Sequence, residues 1–292
     1  MAAGVVTAVA TVDPASGSRA SASNGSPVPP SPVPPAGTFE RSAFDYLTSQ
    51  VLEEKLVPPH HQAPLAEPRR PWRVDRPGRP PELVQAKKGP RIRSLAAPQK
   101  RAHLVHTFLH HELQAAELMC WAALRFSTTP EAFRRGLVAI CADEVRHMNM
   151  YRAYLNGLGF DVGDFPVRDW FWDRIPACET PADFVATMGI GFEGGNLDHT
   201  RRFAARFREV GDHDGADLQE KVGREEVAHV RFAMKWFRHF TGEDDFTHWM
   251  EHLPEPLSPS VMKGRSLDVD ARSRAGLSDA FIDELAAWGP AS

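Results

Sequence analysis

The chain has few cysteines and no long apolar run. Its 292 residues include 3 cysteines, Cys120, Cys141 and Cys178, which are odd in number and lack the spacing of a metal site. We therefore expect three buried, reduced thiols. No apolar stretch has the length that a transmembrane helix needs. These absences argue against a disulfide scaffold, a thiolate metal site and a membrane-embedded protein.

Signatures of several other protein classes are also missing. The sequence has no strand pattern, no glycine-rich phosphate loop and no serine nucleophile elbow. The first residues, 1–12, are mildly apolar, but no basic region precedes them, which argues against a secretory signal. With a formal net charge of −4, the chain is expected to be cytoplasmic. Its chemistry must come from another motif.

That motif is an acid-Glu-x-x-His signature, which occurs at Asp143–His147 and again at Glu225–His229. Glu and His three residues apart on a helix point the same way, so each signature offers one oxygen and one nitrogen ligand. Both signatures interrupt an apolar stripe, where a carboxylate is costly unless it is paired or bound to a metal. This register favours metal ligands over exposed Glu–His neighbours on a solvated face.

Two further acids lie upstream at matching distances. Glu112 precedes Glu144 by 32 residues, and Glu193 precedes Glu226 by 33. About nine helical turns separate each acid from its signature, which suits two antiparallel helices joined by a short turn. The pattern is an internal duplication. The predicted metal ligands are Glu112, Glu144, His147, Glu193, Glu226 and His229.

The first predicted helix offers alternatives to Glu112. Glu117 could replace it, although its spacing of 27 residues from the first Glu-x-x-His matches the second repeat less well. Three histidines, His103, His106 and His110, lie on the same face as Glu117. They form either a separate metal stripe or a partly exposed polar face, and we prefer the polar face. Glu117 and His110 are kept as the less favoured ligands.

The ligand types indicate the metal. Carboxylate and imidazole without thiolate suit iron or manganese, with zinc as a further alternative. We expect two Fe ions, with Mn or a mixed Mn/Fe pair as alternatives. The acid before each signature glutamate could accept the outer imidazole N–H and orient the ring. Asp143 would then serve His229, and Glu225 would serve His147; the alternative is that both acids face solvent.

Helix start and stop signals predict four long helices. Short connections join the first helix to the second and the third to the fourth, whereas more than twenty residues join the second and third. This connectivity is typical of an all-α, ferritin-like four-helix bundle made of two hairpins and a long crossover. The predicted helices span 98–126, 130–157, 181–210 and 214–241.

The regions around the bundle, 98–255, differ in composition. Residues 1–38 read as a disordered low-complexity tail. Residues 39–97 read as a short helix and a Pro/Arg-rich arm, which we expect to wrap the bundle rather than bind nucleic acid. Residues 256–292 read as a C-terminal extension with a short helix. The aromatic crossover at 160–175 reads as a lid on the bundle, with substrate stacking as the alternative.

The third predicted helix is rich in glycine. Interior glycines weaken a helix, each by up to about 1 kcal/mol against alanine. They indicate either close packing against a neighbouring helix or a local helix distortion beside the metals that opens space for a ligand or oxygen. The glycines are Gly189, Gly191, Gly194 and Gly195, around Glu193.

Several stretches together resemble an uncharacterised bacterial ferritin-like family, a domain of unknown function, over roughly residues 40–255. More distantly, they are similar to the tRNA-modifying di-iron monooxygenases and to other ferritin-like di-iron enzymes, including the ribonucleotide reductase small subunit. The resemblance implies a carboxylate-bridged dinuclear centre at the six predicted ligands, and it brings no known substrate. The stretches are Phe108–Phe126, Asp143–His147, Val162–Val167, Phe192–Asp198 and Glu225–His229.

Three functions are compatible with such a centre. The first is an oxygen-dependent oxidoreductase that hydroxylates or desaturates an organic substrate. The second is a metal-binding or ferroxidase-type protein without an organic substrate, and the third is a non-catalytic ferritin-like scaffold. For the first, the expected partners are dioxygen, an electron donor and either a small-molecule substrate or tRNA. No membrane partner is expected, and the assembly considered is a homodimer.

Overall fold

The structure, a computed structural model, describes residues 33–89 and 92–289, so most of the predicted tail lies outside the described residues. Within these ranges the protein is all-helical, and β pairing is limited to one isolated bridge between Gln85 and Val167. The predicted all-α class is confirmed. The α-helices are α1 (Phe39–Thr48), α2 (Leu52–Lys55), α3 (Pro98–Arg125), α4 (Glu131–Gly157), α5 (Pro181–Phe184), α6 (Gly194–Glu209), α7 (His213–Thr241), α8 (Phe246–Glu251), α9 (Val269–Arg274) and α10 (Asp279–Ala287).

A π-helix, Val185–Glu193, joins α5 to α6, so these three segments form one continuous long helix. The four long helices begin and end within one residue of the predicted bounds. In the structure, α3 packs along α4, and α6 packs along α7. Contacts between α4 and α7 join the two hairpins, so the helices that carry the two signatures face each other.

Local signals explain where the long helices begin and end. At the start of α5, the Thr180 hydroxyl accepts a hydrogen bond from the Asp183 backbone N–H (3.1 Å), and the Asp183 carboxylate accepts one from the Thr180 N–H (2.9 Å). This is a capping box. Asp212 accepts from the Gly215 N–H at 2.8 Å and so caps α7. Gly242 ends α7 with a φ of +84°, a conformation that glycine adopts without strain.

The glycines of the third long helix combine both predicted features. The helix is locally distorted, because Val185–Glu193 is π-helical. It is also closely packed on two sides. A Cβ on Gly189 would lie 2.4 Å from the Cβ of Ala233 on α7, and a Cβ on Gly195 would lie 2.6 Å from the carbonyl oxygen of Val261. Larger side chains at these positions would push both neighbours away.

The C-terminal region returns to cover this glycine-rich face. Its anchor is Arg272, a fully buried residue of α9. The guanidinium donates to Asp198 Oδ1 (2.6 Å), to the Met262 carbonyl (2.7 Å) and to the Gly194 carbonyl (3.2 Å). The prediction of one short helix in 256–292 was incomplete, because α9 precedes α10. With only six residues, α9 is too short to show a periodic pattern.

The proline- and arginine-rich arm lies against the helices. The Trp72 N–H donates to the Leu124 carbonyl at the end of α3 (3.1 Å), and the Gly78 N–H donates to the Leu47 carbonyl in α1 (2.9 Å). A Cβ on Gly78 would lie 2.1 Å from the Thr48 carbonyl oxygen, so this close approach requires glycine. The arm is thereby fixed to two helices by its backbone.

The aromatic crossover between α4 and α5 packs onto α3. The Phe171 N–H donates to Gln114 Oε1 (2.9 Å), and the Trp172 indole N–H donates to Glu117 Oε2 (2.9 Å). Phe165, Phe171 and Trp172 are all buried. These contacts agree with a lid that packs inward.

The same crossover covers the histidine stripe of α3. His103 stacks on Phe165 with 4.6 Å between ring centroids, and His106 Nε2 accepts from the Gly163 N–H at 3.0 Å. His106 and His110 are buried. The prediction of a partly exposed polar face is therefore wrong for these two residues, because the crossover lies over that face.

The three cysteines are free and buried, as predicted. The sulfurs of Cys120 and Cys141 lie 3.6 Å apart between α3 and α4, and Cys178 lies beside Thr187. In the parts of the chain that the structure describes, no helix has both the length and the apolar character that crossing a membrane requires.

Candidate metal centre

Four long helices bring six titratable side chains together in the interior. They form two groups of four, and within each group one ligand atom from every residue lies within 4.8 Å of the others. All members are buried, and two glutamates belong to both groups. One group is Glu112, Glu144, His147 and Glu226; the other is Glu144, Glu193, Glu226 and His229.

Both imidazoles point Nδ1 at the carboxylates. Nδ1 of His147 lies 3.2 Å from Glu144 Oε2 and 3.5 Å from Glu112 Oε2. Nδ1 of His229 lies 3.0 Å from Glu144 Oε1 and 3.0 Å from Glu226 Oε2. Two ligand atoms about 2.1 Å from one metal ion and at right angles around it lie about 3.0 Å apart. The observed spacing suits ligands that share an ion.

The outer nitrogen of each imidazole meets the acid of the opposite signature. Nε2 of His147 lies 2.8 Å from Glu225, and Nε2 of His229 lies 3.4 Å from Asp143. Arg146 donates to both acids, at 2.7 Å to Asp143 and 2.5 Å to Glu225. When the imidazole is neutral, a carboxylate at Nε2 keeps the proton there, so that Nδ1 would offer its lone pair to a metal ion.

The cluster is electrostatically demanding. Burial, and then the charge of Glu144, raises the pKa of Glu112 well above its ordinary value. Burial, and then the charge of Glu226, does the same to the pKa of Glu193. Burial acts to lower the pKa of His147, but hydrogen bonds to Glu112 and Glu144 outweigh it and raise that pKa to about 12. The carboxylates therefore require positive charge, supplied by protons or by metal ions.

Two buried carboxylate oxygens, Oε1 of Glu193 and Oε1 of Glu226, make no hydrogen bond to any described residue. An unpaired buried acceptor is costly, and more so when it is charged. Four carboxylates also match the charge of two divalent ions. Oxygen and imidazole nitrogen without sulfur is a donor set for iron or manganese. The residues present therefore fit a pair of metal ions.

The two alternative ligands lie elsewhere. Glu117 forms buried ion pairs with Lys55, at 3.0 Å, and with Arg79. His110 Nε2 lies 2.8 Å from Asp169 Oδ1. Neither Glu117 nor His110 belongs to either group of potential ligands.

A small pocket adjoins the cluster at Glu112, with a volume of about 20 Å³. A cavity needs roughly 10–15 Å³ to hold one water molecule, so the pocket admits a group of about that size. Gln219 donates to the Tyr151 hydroxyl in the pocket wall at 3.3 Å, and Asn196 donates to Glu193 at 3.3 Å. None of these three residues was predicted from the sequence to lie at the site. The available signal was spacing, because Tyr151 follows the signature histidine by one helical turn and Asn196 follows Glu193 by three residues.

The chain is similar to a protein family and to an uncharacterized relative. Residues 40–283 match the family model described as "Protein of unknown function (DUF455)". The chain belongs to this family. The match extends past the stretch 40–255 that carries the resemblance seen in the sequence, and it includes α9. The C-terminal region that covers the glycine-rich face therefore lies within the matched region.

An uncharacterized protein of Haemophilus influenzae is 25% identical over 215 residues, which cover 70% of this chain and 73% of that protein. No solved structure matches the chain. Neither the family nor this relative carries a described activity, so a functional conclusion has to rest on the site itself.

Proposed function

We propose that the chain is a ferritin-like, dinuclear metal carboxylate protein that uses dioxygen to oxidise an organic substrate. The main support is that Glu144 and Glu226 belong to both groups of potential ligands, because shared carboxylates hold two ions side by side. A glutamate on each of two helices and a Glu-x-x-His on each of two others is the pattern of ferritin-like di-iron and di-manganese proteins. Iron is the proposed metal, and manganese or a mixed pair would suit the same donors.

Each residue has a defined task in this proposal. The two shared carboxylates would serve both ions, and one further carboxylate and one imidazole would complete each half of the site. Glu225 and Asp143 orient the imidazoles through Nε2, and Arg146 holds both acids in place. The residues that would serve both ions are Glu144 and Glu226; Glu112 and His147 would help to hold one ion, and Glu193 and His229 the other.

A bound pair of reduced irons supplies electrons for the reduction of dioxygen. Hydroxylation of a C–H bond consumes one dioxygen, two electrons from an external donor and two protons, and it yields the hydroxylated product and one water. The chain contributes a buried site that excludes bulk water, and Tyr151 and Gln219 place hydrogen-bonding groups beside Glu112. The small pocket would bring the reacting end of the substrate to this position.

The first test is metal content. The full chain is loaded with iron(II) without oxygen, desalted and analysed for iron, and we expect two ions per chain. Correctly folded protein that stays free of metal would overturn the proposal. Oxygen consumption of the loaded protein is then followed with and without a fractionated cell extract.

The pattern of oxygen uptake separates the three functions. Uptake stimulated by a small-molecule fraction or by tRNA supports the oxidoreductase and identifies the substrate class. Oxygen uptake that is stoichiometric with the added iron and is unchanged by the extract indicates ferroxidase chemistry. A loaded protein that consumes no oxygen under any condition is a structural metal protein, which contradicts the proposed activity.

A further inference from the structure

Two arginines lie beside the small pocket without a carboxylate partner. The guanidinium groups of Arg202 and Arg206 both lie over the ring of Phe203, 4.5 Å and 5.8 Å from its centroid. Phe203 is a wall of the pocket. Among the described residues neither arginine forms an ion pair, whereas Arg201 pairs with Asp268 at 3.9 Å.

Arg202 has unmet hydrogen-bonding capacity. Its Nε and Nη2 are buried and have no hydrogen-bond partner within the described parts of the chain. Burial, and then the charges of Arg206 and Arg265, lowers the pKa of the Arg202 guanidinium below its ordinary value. Asp198 is not free to compensate, because Arg272 holds it at 2.6 Å and 3.0 Å. A half-buried guanidinium with two buried, unpartnered nitrogens favours binding of an anion.

The pocket extends from Phe203, whose ring both guanidinium groups overlie, to Glu112 of the proposed metal site. Phe108 and Phe203 give it apolar walls, and His111, His199 and Glu112 give it polar ones. Among the described residues, the ring nitrogens of the two histidines have no hydrogen-bond partner and remain available to a ligand. After burial itself, the charge of Arg202 is the next cause that lowers the pKa of His199, so the two side chains lie near each other.

We propose that Arg202 and Arg206 bind the anionic head of the substrate, a carboxylate or a phosphate, while its other end enters the pocket beside Glu112. This inference rests on the proposed function and names the substrate class for that site. Guanidinium forks match the oxygens of carboxylate and phosphate groups, and burial strengthens such contacts.

The shape of the site limits the substrate further. The pocket of about 20 Å³ accepts only a small group, such as a methyl or methylene end. Arg202 follows Glu193 by nine residues, which corresponds to about 14 Å of helical rise. The anionic head would therefore lie at the Phe203 end of the pocket, away from Glu193 along the helix. A slender aliphatic chain with one terminal oxyanion meets both conditions.

Direct binding tests this assignment without any oxygen chemistry. Octanoate, octyl phosphate and octylammonium are titrated by calorimetry into the full chain, both as purified and after loading with redox-inactive zinc. We expect at least one of the two anions to bind at least tenfold more tightly than octylammonium. The Arg202→Gln and Arg206→Gln variants should each weaken anion binding at least tenfold. Arg201→Gln removes the same charge from a neighbouring exposed position and should change the affinity less than twofold.

Each outcome decides the inference. A preference for octyl phosphate points to phosphate esters, and a preference for octanoate points to carboxylic acids; both support an oxyanion site. Equal binding of octylammonium, no binding of any probe to wild type, or unchanged affinity in both arginine variants would overturn it. Because zinc-loaded or metal-free protein serves here, anion binding can succeed even if oxygen uptake fails, and the two failures remain distinguishable.

Discussion

Glu112 and Glu117 lie five residues apart on α3, both buried, but their surroundings are opposite. Glu117 is neutralised by Lys55 and Arg79, and it also accepts a hydrogen bond from the Trp172 indole. Glu112 faces other carboxylates, and burial together with the charge of Glu144 raises its pKa. One helix thus carries a fully compensated carboxylate and an uncompensated one.

The difference distinguishes a carboxylate that holds segments of the fold together from one that is a candidate metal ligand. The partners of Glu117 come from α2, from the arm and from the crossover, so its two ion pairs and its hydrogen bond tie three distant segments to α3. Glu40 with Arg134 and Asp198 with Arg272 are also buried ion pairs. Among the described residues, the carboxylates around Glu112 form no ion pair with lysine or arginine, and their cationic partners are two histidines that are themselves candidate metal ligands.

Removal of a carboxylate that belongs to both groups of potential ligands should have the largest effect on metal content. Glu144→Gln should reduce the iron content from two ions per chain to none, because the amide cannot bridge two cations. The metal-free variant should be less stable than metal-free wild type. Burial acts to raise the pKa of Glu144, but His229 and His147 hold that pKa well below its ordinary value, so the charged carboxylate stabilises the metal-free site. Elemental analysis and thermal unfolding measure the two effects. Glu220→Gln, an exposed change on α7, should alter neither.

The opposite result is expected at the compensated carboxylate. Glu117→Gln leaves the fully buried Lys55 beside a neutral amide, whereas Arg79 keeps its ion pair with Asp169. The change should lower the free energy of unfolding by about 3–5 kcal/mol. Iron content should stay at two ions per chain wherever the variant is folded. Urea unfolding monitored by circular dichroism gives the stability. Loss of iron with unchanged stability would instead make Glu117 a ligand.

The features that could be predicted from the sequence are those that depend on local periodicity. Helix bounds follow from caps and from apolar spacing, as at Thr180 and Gly242. The proximity of the two upstream glutamates to the signatures follows from nearly equal spacing along antiparallel helices, 32 residues for Glu112 and 33 for Glu193. Side chains on facing stripes of packed helices have few other places to go.

Features that depend on distant segments could not be predicted in this way. His106 is buried because the crossover folds over α3, and Glu117 is compensated by Lys55 from a segment 62 residues earlier. The unpaired state of Arg202 depends on Arg272, which arrives from α9 to occupy Asp198. None of these pairings leaves a periodic signal, because each is made by segments that meet only in the folded chain.

The two carboxylates that contact the outer imidazole nitrogens of the proposed metal site differ in distance and in exposure. Glu225 lies 2.8 Å from Nε2 of His147 with 28% of its side chain exposed, whereas Asp143 lies 3.4 Å from Nε2 of His229 with 44% exposed. Loss of an outer partner of a metal-ligating histidine typically weakens metal affinity by about 10–100-fold. The Glu225→Gln variant should therefore bind metal about 10–100-fold more weakly than wild type.

Asp143→Asn should weaken metal binding less than Glu225→Gln, because the contact of Asp143 with His229 is longer and more of its carboxylate faces solvent. Competition with a chelator of known affinity for manganese or zinc measures both losses on the same scale. Both variants also replace a charged partner of Arg146 with a neutral amide, so this change is common to the two variants. If Asp143→Asn weakens binding as much as Glu225→Gln, the length of the imidazole–carboxylate contact does not set its contribution, and the two halves of the site are equivalent despite their geometry.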